Sequence, residues 1–264
     1  MRIDLTGKTA VVTGSTAGIG LAIAAGLAQS GARTILNGRS EASVERGLAE
    51  LRRRVRTAPV QGVVADLSSA AGAQRLTRAA PDADILINNA GIYGLKSFFD
   101  TGDEDWEQYF QTNVMSGVRL SRHYLRGMLE RNWGRIVFIA SESALNIPPD
   151  MIHYGMTKTA QLAVARGLAK LAAGSAVTVN SVLPGPTLSE GVRTLLQESV
   201  ARTGRSAEEV GAEFVRTQRG SSLLRRLATP EEVANLVVYV SSVQASATTG
   251  AALRVDGGVV DSIV

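Results

Sequence analysis

The stretch Thr13-Gly14-Ser15-Thr16-Ala17-Gly18-Ile19-Gly20 lies between a short apolar run and a segment with helical patterning. Glycines at such a turn let the backbone bend sharply and approach a bound phosphate closely. The helix that follows presents free N–H groups and the positive end of its dipole to an anion. We therefore expect a strand–turn–helix unit that holds the pyrophosphate of a dinucleotide. The expected contacts are Gly14, Ser15, Thr16, Gly18, Ile19 and Gly20. A glycine-rich turn without a ligand is the alternative for this motif taken alone.

Outward from this turn, short runs rich in Val and Ile alternate with longer helical segments. Continuous apolar runs of this kind are typical of strands buried on both faces of a parallel sheet. The alternation predicts right-handed crossovers and an α/β fold with a doubly wound parallel sheet in one domain, 1–264. The predicted strands are Thr9–Thr13, Thr34–Asn37, Val60–Ala65, Ile85–Asn88, Ile136–Ala140, Val177–Val182 and Ala252–Val255. The predicted helices are 18–30, 41–54, 69–79, 103–131, 152–173 and 230–240.

Three pairs of residues have the spacing of a capping box, which satisfies free N–H groups at a helix start. They are Thr101 with Glu104, Ser206 with Glu209, and Thr229 with Glu232. The last pair also brackets Pro230 at the first helical position, where proline is favoured.

Composition excludes several classes of protein. The chain of 264 residues has no cysteine, so it has no disulfide or thiolate metal site, and its His and acidic residues lack metal spacing. We expect no metal, a cytoplasmic location, and neither a secretory leader nor a membrane span. The net charge is only +4. The arginine run at 52–54 and 56 has no interleaved aromatic residue, so we interpret it as a solvated helix end and expect no nucleic-acid partner.

The end of the second predicted strand bears on which dinucleotide is used. An acidic residue there would bind the ribose 2′-hydroxyl of NAD, but the sequence has Asn37-Gly38-Arg39-Ser40. Arg39 is suited to pair with a 2′-phosphate, which favours NADP(H) over NAD(H). The stretch Ser15–Ala17 adds no second basic residue, and an exposed Arg39 without a ligand is the alternative.

Two further strand ends are expected to contact the cofactor. Asp66-Leu67 follows the third strand, where the carboxylate is placed to accept from an adenine amino group; a helix cap is the alternative role. Asn88-Asn89-Ala90-Gly91 follows the fourth strand, and its small residues permit close approach of the cofactor. Asn89, Ala90 and Gly91 are the expected contacts, with bracing of neighbouring turns as the alternative for the asparagines.

A group of polar residues has the types that carbonyl reduction needs. Tyr154 and Lys158 are four apart and share one face of a predicted helix. A neighbouring ammonium favours tyrosinate, so Lys158 would lower the pKa of Tyr154. Ser141 closes the fifth strand and would hold the substrate oxygen near Tyr154, with Ser143 as a rival. Asn113, inside the helix 103–131, would hold a water that extends a proton path from Lys158.

In order and spacing, these motifs resemble the short-chain dehydrogenase/reductase family in its single-domain form. The resemblance runs from about Lys8 to Asp256-Gly257-Gly258. It implies a seven-stranded Rossmann sheet and a nicotinamide cofactor that contacts Tyr154, Lys158 and the Pro184-Gly185 turn. It also implies the roles just given for Tyr154, Lys158, Ser141 and Asn113. The family's threonine after that turn is replaced by Ser189, with Thr187 as the alternative. The resemblance further implies a homotetramer or homodimer built through the helices 103–131 and 152–173.

We therefore interpret the chain as an NADP(H)-dependent oxidoreductase that acts on a carbonyl or alcohol, with 3-oxoacyl thioesters among the candidate substrates. A catalytically silent NADP(H) sensor on the same fold is the alternative. The segment 187–222 is expected to form two amphipathic helices and to act as a substrate lid. Tyr93, Leu95 and Leu145 are expected to line a mostly apolar pocket.

Overall fold

The computed structural model describes residues 2–55 and 58–263, and its seven strands form one sheet. The strands are β1 (Thr9–Val12), β2 (Arg33–Gly38), β3 (Val60–Val64), β4 (Ile85–Asn88), β5 (Gly134–Ile139), β6 (Val177–Pro184) and β7 (Ala252–Val255). Their order across the sheet is β3-β2-β1-β4-β5-β6-β7, and every pairing is parallel. The order reverses between β1 and β4, which is where a doubly wound sheet opens a crevice at its carboxyl edge.

Helices cover both faces of this sheet, as the continuous apolar strands predicted. The helices are α1 (Gly18–Gln29), α2 (Glu41–Arg54), α3 (Ala70–Ala79), α4 (Asp103–Tyr109), α5 (Ser116–Glu130), α6 (Ile152–Leu171), α7 (Glu190–Thr203), α8 (Ala207–Gln218) and α9 (Pro230–Val240). Alternate residues of one strand enter different cores: Val137 and Ile139 pack with α1 and α9, whereas Ile136 and Phe138 pack with α3, α5 and α6. The predicted doubly wound Rossmann fold is therefore confirmed.

The single helix predicted over 103–131 is wrong in one respect. A wide π-helical turn, Phe110–Met115, separates α4 from α5. Such a turn carries one extra residue and weakens the regular i→i−4 bonding, which changes where its carbonyl groups point. Asn113 and Val114 are buried within it. The candidate residue Asn113 therefore lies in an irregular turn and not in a regular helix.

Two of the three predicted capping boxes are present. Thr229 and Glu232 cap α9, and Ser206 and Glu209 cap α8, each through reciprocal backbone and side-chain bonds. The third is wrong, because the residue that caps α4 is Gly102 and not Thr101. Asp105 accepts the Gly102 N–H at 3.0 Å.

The segment after β6 forms the two predicted helices, α7 and α8. They share a small apolar cluster of Leu188, Val215 and Leu227, which is separate from the two large cores of the sheet. Val192 and Leu196 pack against that cluster, but Leu195 is 70% exposed. The helix pair is thus held mainly by its own contacts.

The arginine run lies at the end of α2, where Arg54 binds Glu50 and Glu231. Arg56, the fourth arginine of the run, lies outside the described residues. No helix among residues 2–55 and 58–263 is long and apolar enough to cross a membrane. The same residues contain no group of three side chains that could hold a metal ion.

Candidate active site

The glycine turn between β1 and α1 has the shape of an anion cradle. Gly14 and Gly18 have positive φ angles of 57° and 55°, which side chains rarely tolerate. A methyl group on Gly14 would lie 2.9 Å from Ala90 Cα, and one on Gly20 would lie 2.6 Å from the Gly14 oxygen. Ala17 precedes α1 without a side-chain capping bond, so the first N–H groups of the helix remain for a ligand. These residues fit a bound pyrophosphate.

Ser15 and Asn89 were expected to contact the cofactor, but their side chains brace the turn. The Ser15 hydroxyl donates to the Val12 oxygen at 2.6 Å and accepts the Asn37 N–H at 3.1 Å, while its own N–H donates to the Asn37 oxygen. The Asn89 amide donates to the Thr13 and Gly14 oxygens at 2.8 and 2.9 Å. Ser15 is fully buried, and its side-chain bonds shape the cradle.

Asn37 is a bracing residue that the sequence analysis did not identify. Its amide accepts the Gly14 N–H and donates to the Val63 and Ala65 oxygens at 3.3 and 3.0 Å. Asn37 thereby joins the glycine turn to β3 from the end of β2. The only sequence signal was a polar residue at the end of an apolar strand.

Arg39 lies exposed just beyond β2, as expected for a residue that meets a 2′-phosphate. Its guanidinium makes no hydrogen bond or ion pair with any residue that the structure describes.

Asp66 is exposed and accepts the Ser68 N–H at 3.1 Å, whereas Ser69 is the residue that caps α3. The alternative role of Asp66 as a helix cap is therefore wrong, and its second oxygen stays available. Leu67 is buried under it.

Ser141 and Tyr154 meet at the carboxyl edge of β5. The Ser141 hydroxyl accepts the Ser143 N–H at 3.1 Å and donates toward the Tyr154 phenol. The rival Ser143 donates its hydroxyl to Glu142 at 2.8 Å, whereas the Ser141 hydroxyl is the one next to the Tyr154 phenol. The Tyr93 ring stands edge-on to Tyr154 with 6.5 Å between ring centres. Of the expected pocket residues, Tyr93, Leu95 and Leu145 are 48%, 74% and 48% exposed.

The pKa of Tyr154 is raised above its usual value in this arrangement. Burial is the main cause, the bond from Ser141 opposes it, and the nearby Glu142 carboxylate adds to the rise. Burial also lowers the pKa of Lys158 to about 7. The expected lowering of the Tyr154 pKa by Lys158 is therefore not present here, because desolvation dominates both groups and Lys158 Nζ lies 5.5 Å from the tyrosine ring centre. A neutral Tyr154 is in the form that donates a proton.

Lys158 is held by two hydrogen bonds, one to β5 and one within α6. It is 5% exposed, and its Nζ donates to the Ile139 oxygen at 2.9 Å and to Gln161 Oε1 at 3.3 Å. An ammonium has three N–H donors, so one is left for a ligand. Asn113 lies near this group, and its side chain bonds to other residues: Oδ1 accepts the Ile92 N–H, and Nδ2 donates to the Ile92 oxygen and to Thr157.

The turn after β6 completes the crevice. Gly185 lies against the backbone of Asp256, where no side chain fits, next to Pro184 at the end of β6. Thr187 donates its hydroxyl to the Gly185 oxygen at 2.9 Å, and Ser189 caps α7 through the Val192 N–H. A methyl group on Gly18 would lie 3.3 Å from Ser189 Cβ, so the start of α7 lies beside the glycine turn.

Glu142 and Arg219 form an ion pair that the sequence analysis missed. Glu142 is 4% exposed, and its Oε1 accepts from Arg219 Nε at 3.2 Å. Burial raises the pKa of Glu142, against the opposing effects of Ser143 and Arg219. Arg219 follows α8, so the pair connects the α7–α8 segment to the residues after β5 that include Ser141. Residues 77 positions apart in sequence gave no local signal of this contact.

A doubly wound sheet, an anion cradle at its switch point and an adjacent Ser–Tyr–Lys group define a dinucleotide-dependent oxidoreductase. The short chain dehydrogenase family model matches residues 8–199. Oxidoreductase YvaG of Bacillus subtilis is 46% identical over 263 residues, which span 100% of both chains. The FabG 3-oxoacyl-[acyl-carrier-protein] reductase of Aquifex aeolicus is 31% identical over 98% of this chain and 99% of its own.

Among solved structures, L-sorbose reductase from Gluconobacter frateurii, complexed with NADPH and L-sorbose, superposes with a TM-score of 0.92. It is 31% identical, and the match covers 100% of both chains. The chain belongs to the short chain dehydrogenase family. It is an oxidoreductase that uses a nicotinamide dinucleotide and acts on CH–OH or C=O groups.

Proposed function

We propose that this chain is an NADP(H)-dependent reductase of a small carbonyl compound, working in reverse on the alcohol. The observation that carries the proposal is the meeting of Ser141, neutral Tyr154 and anchored Lys158 beside the glycine turn. The exposed Arg39 beyond β2 has no anionic partner among the described residues. A 2′-phosphate would be such a partner, which supports NADP(H) over NAD(H).

The cofactor would lie along the carboxyl edge of the sheet. Gly14, Thr16, Gly18, Ile19 and Gly20 would hold its pyrophosphate through the turn and the start of α1. Arg39, Asp66 and Leu67 would hold the adenosine part, and Ala90 and Gly91 would allow close approach. Pro184, Gly185, Thr187 and Ser189 would border the carboxamide. When bound, the cofactor supplies the hydride.

The chain's own residues supply the proton and the orientation. Ser141 would donate a hydrogen bond to the substrate oxygen, and Tyr154 would donate its phenolic proton to that oxygen as it gains negative charge. Lys158 would bind the nicotinamide ribose with its third N–H donor. In the alcohol-oxidising direction, Tyr154 must first lose its proton, so its raised pKa favours reduction near neutral pH.

The α7–α8 segment is proposed as the substrate lid. The apolar cluster of this segment is separate from the two large cores, so the segment is less firmly attached than the other helices. The Glu142–Arg219 ion pair joins the segment to the residues after β5 that include Ser141. Substrates to test include keto sugars, as suggested by the L-sorbose reductase, and 3-oxoacyl thioesters, as suggested by FabG. The cytoplasmic location stays a prediction.

We further propose that the enzyme is a homodimer or homotetramer assembled through α4–α5 and α6. The outer face of α6 carries the exposed residues Ala163 and Gly167. A methyl group on Gly167 would meet no atom within 4 Å. Glycine inside an exposed helix costs about 1 kcal/mol relative to alanine, so close approach of a second chain accounts for its presence there.

The test is NADPH and NADH oxidation with a panel of keto sugars, simple ketones, quinones and 3-oxoacyl thioesters, with the reverse assay on alcohols. Turnover with NADPH supports the proposal. Binding of NADPH without turnover across the panel supports the silent sensor instead.

A further inference from the structure

A buried chain of hydrogen bonds connects Lys158 to the π-helical turn. Lys158 Nζ donates to Gln161 Oε1 at 3.3 Å, and Gln161 Nε2 donates to the backbone oxygen of Asn113 at 2.6 Å. Gln161, Asn113 and Lys158 are 1%, 0% and 5% exposed. All three belong to the interior next to the proposed site, and Gln161 has no role in the mechanism described so far.

The orientation of the Gln161 amide follows from its two neighbours. Its partners are an ammonium, which only donates, and a carbonyl, which only accepts. Reversing the amide would face its NH2 group to the ammonium and its oxygen to the carbonyl, which breaks both bonds. The side chain therefore accepts from Lys158 and donates to Asn113, and its length spans the gap between them.

The Asn113 oxygen lies in the π-helical turn. In a regular helix each carbonyl accepts the N–H four residues on, whereas the wide turn at Phe110–Met115 disturbs this pattern. A buried carbonyl without a partner is costly, and Gln161 supplies that partner. The Asn113 side chain takes no part, since its bonds go to Ile92 and Thr157.

We infer that Gln161 is a positioning residue: its amide joins the Lys158 ammonium to the backbone oxygen of Asn113 and so holds the lysine in place. Gln161 and Ile139 accept from two of the three Lys158 donors, which leaves the third for a ligand. The inference rests on the proposed function for its consequence in cofactor binding.

The competing explanation is that Gln161 only fills space in the core. The two explanations rank substitutions in opposite order. Gln161→Leu keeps the approximate volume and removes both bonds, so a space-filling role tolerates it. Gln161→Glu keeps the shape and the acceptor for Lys158 but loses the N–H that reaches the Asn113 oxygen. A space-filling role makes Gln161→Glu the worse change because it buries a charge.

The first measurement needs no cofactor and no turnover. The Lys158 ammonium is titrated by NMR in protein with isotope-labelled lysine, for wild type, Gln161→Leu and Gln161→Glu. Tyr154 on α6 is the nearest titratable group, with Glu142, Tyr93 and Tyr109 around its phenol. We expect the pKa of Lys158 to fall in Gln161→Leu, which loses an acceptor, and to rise in Gln161→Glu. An unchanged pKa in both variants overturns the inference.

The second measurement is NADPH affinity by fluorescence titration. Gln161→Leu should weaken binding about tenfold, the size of one lost hydrogen bond to a charged group, while Gln161→Glu stays within about threefold of wild type. The control is Gln74→Leu on the exposed face of α3, which should bind as wild type does. The reverse ranking, with Gln161→Leu tighter than Gln161→Glu, shows a space-filling role. If wild type binds no NADPH, the proposed function fails while the lysine titration still decides on Gln161.

Discussion

At the scale of single residues, we propose that Arg39 sets the preference for NADP(H) over NAD(H). Arg39→Ala removes the cation proposed to pair with the 2′-phosphate. We expect the KM for NADPH to rise about tenfold and the KM for NADH to stay unchanged, because NADH lacks that phosphate. Steady-state kinetics with both cofactors measures this.

The matched control is Arg33→Ala at the other end of β2, where Arg33 bonds to Gln61. It should leave both KM values unchanged. Equal effects of Arg39→Ala on NADPH and NADH would contradict the assignment of Arg39 to the phosphate.

Lys158 illustrates a conflict between activity and stability. Its pKa falls to about 7 in the folded chain, from 10.5 as its usual value. Between these two pH values the unfolded chain binds more protons than the folded chain. Burial of the Lys158 ammonium therefore lowers the free energy of unfolding by its full amount below about pH 7 and by nothing above about pH 10.5. Lys158→Met should thus abolish reduction but stabilise the fold by roughly 1–3 kcal/mol at pH 6, after the loss of two hydrogen bonds.

Urea unfolding at several pH values checks the Lys158 prediction. The gain from Lys158→Met should shrink steadily from pH 7 upward. A variant less stable than wild type at pH 6 would show that the buried ammonium is well solvated or paired.

At the scale of elements, the start of α9 offers a test of capping. Arg226 and the Thr229 N–H hold the pKa of Glu232 down to about 2. A lowered carboxyl pKa stabilises the fold above pH 4.5, and this is lost as pH falls toward 2. Glu232→Gln should therefore cost roughly 0.5–1 kcal/mol at pH 7 and less in acid, since the side chain is 40% exposed and solvent screens it.

Chemical denaturation at pH 7 and below pH 4.5 measures this difference. The neighbouring Glu231→Gln is the control, because Glu231 is 61% exposed and makes only a surface pair with Arg54. A cost for Glu232→Gln that does not vary with pH would rule out the carboxylate as its source.

The elements also show what a single sequence reveals. The strands were predictable because apolar runs such as Ile85–Asn88 have no other stable place than a sheet covered on both faces. The π-helical turn could not be predicted, because the hydrophobic pattern of 103–131 continues through it without a break. The predicted Thr101 cap was wrong because Gly102 is the residue before α4, and its N–H is accepted by Asp105 and not by Glu104.

In the site, motif residues were predictable by type and order, but their contacts were not. Tyr154, Lys158 and Ser141 come together as the spacing and strand ends indicated. Gln161 and Glu142 were missed because their partners, Asn113 and Arg219, are distant in sequence. Ser15 was assigned a ligand contact from its place in the glycine turn, and the sequence did not show that its hydroxyl bonds to β1 and β2.

At the scale of the whole molecule, the assembly can be tested on α6. Gly167→Arg places a long cation on the outer face where we propose that a second chain packs. We expect light scattering after size-exclusion chromatography to show a dimer or tetramer for wild type and a smaller species for the variant. Ala71→Arg on the exposed start of α3 is the control and should keep the wild-type mass. A monomeric wild type would contradict the assembly.

The central claim is that Tyr154 donates the proton in an NADPH-dependent carbonyl reduction. The most direct measurement is NADPH oxidation by wild type and Tyr154→Phe on the same carbonyl substrate, with NADPH affinity measured in parallel. Tyr239→Phe on α9 is the control, because it removes the same hydroxyl far from the site. We expect Tyr154→Phe to lower kcat about 10²–10⁴-fold with NADPH binding nearly unchanged. A Tyr154→Phe enzyme that reduces the substrate at the wild-type rate would contradict the account.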